Sequence, residues 1–217
     1  MYQLYYYPLN ASMAPHMILE ALQVDYRLIK VDRKNQEQKS KEYLALNPAG
    51  RIPTLVKGDF VLFESAAICL HLAEMHSKTQ LIPPIGDDSR ALHHQWMMYL
   101  TNTLQAELMV YFYPEKHCQS DNATAEIIKA QQKLIHQSLS LLNDQLAKNE
   151  LADIDYLVGN KINVCDYFLF MLLIWADELE EPPLRYVHLR RYLKHLAKQQ
   201  AIITVCRKEK LSLADYQ

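Results

Sequence analysis

The chain has 217 residues, a formal net charge of −2 and an apolar half, enough for one or two compact domains around a substantial core. That balance offers no basic stripe for nucleic acid. No apolar run approaches the roughly 20 residues of a membrane span, and the four glycines form neither a GxGxxG nor a P-loop.

The N-terminus shows no basic region followed by a long apolar stretch, so no signal peptide is expected. Cys69, Cys118, Cys165 and Cys206 have no CxxC spacing and read as small hydrophobes in a reducing compartment, the cytoplasm. His93-His94 is the nearest approach to a chelate, but adjacent helical residues point about 100° apart. No metal site is expected, and the histidines read as solvated or capping.

Tyr2–Tyr7 is aromatic-rich, is stopped by Pro8 and reads as a buried strand. Ser12 is a candidate cap for a helix from Met13 to near Val24, with Pro15 in its first turn. Tyr26–Val31 alternates as a strand, and Asp32–Lys41 is a charged stretch of loop and weak helix. The turn cluster Asn47-Pro48-Ala49-Gly50 leads to Ile52-Pro53. Thr54–Val56, the turn Lys57-Gly58-Asp59 and Phe60–Phe63 then form a hairpin signal. Glu64-Ser65 opens a helix over Ala66–Met75, with Ser65 as the expected N-cap.

Ser77–Asp88 reads as a linker, and no strand pattern follows it. Ala91–Tyr113 has long helical spacing, ended or bent by Pro114. A second long helix from Asp121 carries Ile128, Ile135, Leu139, Leu142 and Leu146 on one face. Asn163 with Asp166 is a capping-box variant opening a buried helix to about Glu178. Two helices, Tyr186–Gln199 and Ala201–Lys208, finish the chain.

The pattern Asn47-Pro48-x-Gly50-x-Ile52-Pro53 followed by Glu64-Ser65 resembles the glutathione transferase family. So do Tyr7-Pro8-x-x-x-Ser12-x-Ala14-Pro15-His16 and Trp96-x-x-Tyr99, which are most similar to its bacterial beta class. The resemblance implies an α/β thioredoxin-like domain at 1–77, a linker at 78–88 and an all-α domain at 89–217. It also implies a cis Ile52–Pro53 bond. That geometry leaves the Ile52 N–H and C=O open to pair with an extended tripeptide. Glu64 and Ser65 would hold the γ-glutamyl end, the serine at a helix N-terminus suited to a carboxylate.

A glutathione transferase must stabilise a thiolate from a thiol of pKa about 8.5–9, using a donor at the head of the first helix. The beta class carries a cysteine at the position matching Ala11; its absence here excludes a mixed disulfide with the enzyme at that position. Three donors remain: Ser12 first, then Asn10, then Tyr6. Lys34 is a candidate for the glycyl carboxylate. Gln105 stands where the beta class has histidine and cannot titrate. Met98 and Thr103 likewise replace glutathione-contacting residues of that class. Leu9, Met109, Phe112 and Tyr113 are candidates for an electrophile pocket between the domains.

The expected function is conjugation of glutathione, as co-substrate and without a further cofactor, to a small hydrophobic electrophile. A glutathione-dependent disulfide reductase or peroxidase is one alternative, since some such enzymes of this fold are described with a residue like Asn10. A non-catalytic ligand-binding protein of the same fold is the other. A homodimer is expected from the family, with no nucleic-acid or membrane partner.

Overall fold

The structure is a computed structural model that describes residues 1–216. The chain divides into two units, Pro83–Leu196 and a second made of Met1–Ile82 together with the chain from Ala197 on. The first part of the chain, as its patterning predicts, is α/β: β1 (Tyr2–Tyr6), α1 (Met13–Leu22), β2 (Tyr26–Lys30), α2 (Lys41–Leu46), β3 (Thr54–Lys57), β4 (Phe60–Phe63) and α3 (Ser65–Met75).

The four strands form one sheet in the order β2-β1-β3-β4. β1 runs parallel to β2, while β1–β3 and β3–β4 are antiparallel. Leu4 stands opposite both Leu28 and Leu55. Leu4 and Leu55 are buried, as are Met13, Met17, Ile18 and Leu19 of α1 and Ile68 and Leu72 of α3. Because strand side chains alternate between faces, Tyr5 and Tyr7 belong to the opposite face, packed on Val31, Tyr43 and Ile52. Tyr5 meets Tyr43 edge-on at 5.8 Å between centroids.

Two boundaries differ from the sequence reading. Leu81 and Ile82 lie inside the predicted linker but are buried and stay with the first unit. The terminal helix α9 (Gln200–Glu209) also belongs to that unit rather than to the helical one. Ile202, Val205 and Cys206 are its buried face, and it packs against α1.

The other unit contains α4 (Asp88–Tyr99), α5 (Ala106–Phe112), α6 (Asp121–Leu151), α7 (Val164–Trp175) and α8 (Val187–Leu196). The predicted single helix over 91–113 is interrupted between α4 and α5 by π-helical turns at Leu100–Gln105. Thr101 Oγ1 donates to the Met97 carbonyl at 2.9 Å, drawing that carbonyl toward a side chain and loosening the local ladder. The capping box forms as read: Cys165 N–H donates to Asn163 Oδ1 at 3.0 Å, and Asn163 N–H donates to Asp166 Oδ2 at 2.7 Å. Asp166 also accepts from Leu157 N–H at 2.9 Å and from the Tyr192 hydroxyl. His93, expected at the surface, is instead fully buried with neither ring nitrogen hydrogen-bonded.

Candidate functional site

Strand register gathers the candidate residues of the first unit at one end of the sheet. Tyr5 pairs with Thr54 and Thr54 with Phe63. The C-terminal end of β1 therefore lies beside the start of β3, which lies beside the end of β4. Val31 N–H donates to Tyr6 C=O at 2.9 Å and brings the end of β2 to the same edge. The loops Tyr7–Ser12, Val31–Lys34, Ile52-Pro53 and Glu64-Ser65 thus emerge together.

The Ile52–Pro53 bond is cis, and the loop before it is tied down by side chains. Asn47 Nδ2 and the Tyr43 hydroxyl both donate to Arg51 C=O, at 2.7 and 2.8 Å. The Tyr43 hydroxyl also lies 2.9 Å from Thr54 Oγ1, and Ala49 N–H donates to Asn47 Oδ1 at 3.0 Å. Gly50 has φ +58°, and a Cβ there would stand 2.7 Å from Lys39 Nζ and 3.0 Å from Gln38 O. With Arg51 held this way, the N–H and C=O of Ile52 keep no hydrogen bond within the described residues. This is the open strand edge that the sequence predicts.

Glu64 and Ser65 come out with changed structural roles. Ser65 is the first residue of α3 rather than its N-cap; that position is held by Glu64, whose side chain makes no cap bond. Glu64 takes φ +71° and ψ 115°, a conformation unfavourable for a residue with a Cβ and one that recurs at ligand clamps. Its carboxylate is exposed, while Ser65 is buried at a helix end whose first N–H groups lack helical partners.

At the loop before α1, the three candidate donors stand in different surroundings. Ser12 is fully buried. Its hydroxyl donates to Tyr7 C=O at 3.0 Å and accepts from Tyr7 N–H at 3.3 Å. It makes no side-chain cap bond to α1. A serine hydroxyl has one proton, and here that proton is spent on the main chain. Asn10 is half-buried; its carbonyl accepts from Met13 N–H at 2.8 Å, while its amide makes no hydrogen bond among the described residues. Tyr6 is half-buried, edge-on to His16 at 6.3 Å. Burial, reinforced by the charge of Glu209, raises its hydroxyl above the ordinary range, so it stays protonated.

Two further residues belong to this unit. Lys34 is exposed at the same sheet end, on a turn where its own N–H and that of Asn35 donate to Asp32 Oδ1 at 3.0 and 3.2 Å. Leu9 is 41% exposed and adopts φ +55°. The remaining candidates are in the helical unit. Gln105 ends the π-helical turns, and Met109 and Phe112 follow on α5. Their spacing of four and three puts them on one stripe, and all three are half-buried. Tyr113 comes just after α5, with Lys116 Nζ 3.8 Å from its ring centroid.

One feature of the loop escapes the sequence reading. Glu209 of α9 has a fully buried side chain, as does His16 of α1; their Oε1 and Nδ1 are 2.8 Å apart. The other carboxylate oxygen accepts Leu9 N–H at 2.7 Å. His16 is visible in the sequence as part of the Pro-His pair, but nothing local marks a glutamate 193 positions later as its partner.

Comparison with known proteins agrees with this architecture. Residues 2–74 match the glutathione S-transferase N-terminal domain, and residues 101–200 match its C-terminal domain. Glutathione S-transferase F10 of Arabidopsis thaliana is 30% identical over 200 residues, covering 88% of this chain and 87% of that protein. Glutathione S-transferase GstA of Escherichia coli O157:H7 is 25% identical over 202 residues, covering 92% and 94%. The structure of a sphingomonad glutathione S-transferase complexed with glutathione superposes with a TM-score of 0.81 at 26% identity, covering 97% of this chain and all of that one. The open strand edge at a cis proline, the two helix N-termini beside it and these matches over both parts of the chain make this protein a member of the glutathione S-transferase family.

Proposed function

We propose that this protein binds glutathione at the sheet end just described and conjugates it to a small hydrophobic electrophile. The observation that carries this reading is the open main chain of Ile52 beside Ser65 and the unpartnered N–H groups at the head of α3. Ile52 pairs with the tripeptide backbone as an added strand. Ser65 and the α3 N-terminus receive the γ-glutamyl carboxylate, and the exposed Glu64 faces its amino group. Lys34 serves the glycyl carboxylate.

Asn10, not Ser12, is the donor to the sulfur in this reading, because its amide is uncommitted and it sits at the positive end of α1. One donor plus a helix terminus is worth at most a few kcal/mol to an anion, enough for a thiol pKa lower by about two units. The thiol gives its proton to solvent. The thiolate then forms the C–S bond while the electrophile's leaving group departs or its π-bond takes the electron pair. Leu9, exposed next to Asn10, gives apolar contact to the electrophile.

Asn10 also favours a second reading, a glutathione-dependent disulfide reductase, since an amide can stabilise a leaving or attacking thiolate without titrating itself. The protein works in the cytoplasm as a homodimer, in keeping with the exposed Phe60 and Phe63 of β4 and Met98 of α4; among the described residues no helix is long and apolar enough to cross a membrane. The test is a glutathione titration followed by assays with an aromatic halide and with a glutathione mixed disulfide. Turnover of the halide supports conjugation, turnover of the disulfide alone supports the second reading, and failure to bind glutathione removes both.

A further inference from the structure

Glu209 is a charged side chain with no solvent exposure, a position costly to occupy unless both oxygens are used. Oε1 meets His16 Nδ1 at 2.8 Å, and Oε2 accepts Leu9 N–H at 2.7 Å. His16 is locked on its other side, with Nε2 3.1 Å from the Tyr26 hydroxyl. That hydroxyl donates to Glu20 and accepts from Lys208 Nζ at 2.8 Å. The carboxylate is therefore tied to α1 and, through His16, to β2, as well as to Leu9.

Leu9 is where such a bond matters. Its φ of +55° is one that a residue with a Cβ adopts only at a cost. The two ends of the Tyr7–Ser12 loop are closed on each other by the Ser12 hydroxyl. Within the span between them, the bond from Leu9 to Glu209 is the one made by a side chain from outside the loop, among the described residues. Turning Leu9 to an ordinary negative φ would swing Asn10, the next residue, away from its bond to Met13 N–H and re-aim its amide.

We infer that Glu209 is a positioning residue of the thiol site: from the last helix it holds Leu9 in the left-handed conformation that aims the Asn10 amide. The inference rests on the proposed glutathione site and adds to it a residue that touches neither glutathione nor the electrophile. It also gives the terminal helix α9 a part in the chemistry.

The experiment compares wild type, Glu209→Ala and Glu209→Gln by two readouts: amide hydrogen exchange at Leu9 and Asn10, and the pH titration of the ultraviolet thiolate band of bound glutathione. Glu209→Ala should speed Leu9 exchange by about tenfold or more and raise the bound-thiol pKa by about one unit. Glu209→Gln keeps an oxygen for Leu9 N–H and should restore both. A merely structural role would lower the melting temperature and leave the bound thiol's titration in place. An unchanged thiol pKa in a folded, glutathione-binding Glu209→Ala protein overturns the inference while leaving the proposed function intact. If wild type itself binds no glutathione, the proposed function fails and takes the inference with it, an outcome visible before any variant is made. Should Glu209→Ala fail to fold, Glu209→Asp, one methylene too short to reach both partners, is read in the same way.

Discussion

The hydroxyl of Ser12 closes on both main-chain groups of Tyr7, donating to its carbonyl at 3.0 Å and accepting from its N–H at 3.3 Å. A residue that sequence alone offers as a thiol activator is thereby a staple of the loop. Ser12→Ala leaves the part-buried N–H and C=O of Tyr7 without these bonds, which should cost about 1–3 kcal/mol while the thiolate band of bound glutathione persists. Asn10→Ala should do the reverse, losing the band with little change in stability. Denaturant midpoints and ultraviolet titration of both variants separate the two roles; loss of the band in Ser12→Ala would return the serine to the chemistry.

Ser65 is not the cap of α3, so its hydroxyl is not needed to form the helix. Ser65→Ala should weaken glutathione binding by about 1.5–3 kcal/mol, the range of a hydrogen bond to a charged group, and leave the melting temperature nearly unchanged. Calorimetric titration beside a thermal scan checks both halves. A large fall in melting temperature with unaltered affinity would mean that the serine is structural.

Asn47 holds Arg51 C=O and Ala49 N–H by its side chain, and it is buried. Asn47→Ala should destabilise the first unit by about 1–3 kcal/mol and also lower glutathione affinity, because the Ile52 edge depends on the loop before it. Tyr43→Phe, which removes one of the two donors to Arg51 C=O, should show the same effects in smaller measure. Equilibrium unfolding and a binding titration on the same samples test whether the two losses move together.

His93 is buried without a hydrogen-bonding partner, and burial pulls its pKa down to about 4, with His94 and Arg90 adding to the shift. Its unfolded value is near 6.5. The unfolded chain therefore takes up a proton at a higher pH than the folded one. Stability should be at its full value above about pH 6.5 and decline as pH falls toward 4, by up to about 3 kcal/mol from this residue. His93→Phe removes the titration and should flatten that part of the stability curve. Urea unfolding at pH 7, 5.5 and 4.5 for both proteins reads the difference; parallel curves would assign acid lability elsewhere.

The strands, the hairpin and the capping box at Asn163–Asp166 were all legible in the chain itself. Each depends on neighbours in sequence: alternation, turn residues, or a cap with its third residue. The open edge at Ile52 was expected through the family resemblance, which implies the cis bond that leaves the Ile52 main chain unpaired. Which of the candidate donors is already bonded within its own loop was not legible. The sequence puts Ser12 ahead of Asn10, and only the fold shows that the hydroxyl is turned back to Tyr7 while the amide is left uncommitted. The place of α9 was hidden for the same reason. An amphipathic helix records that one face is buried but not which surface buries it, so neither the packing of α9 on α1 nor the reach of Glu209 to Leu9 could be read before the chain was folded.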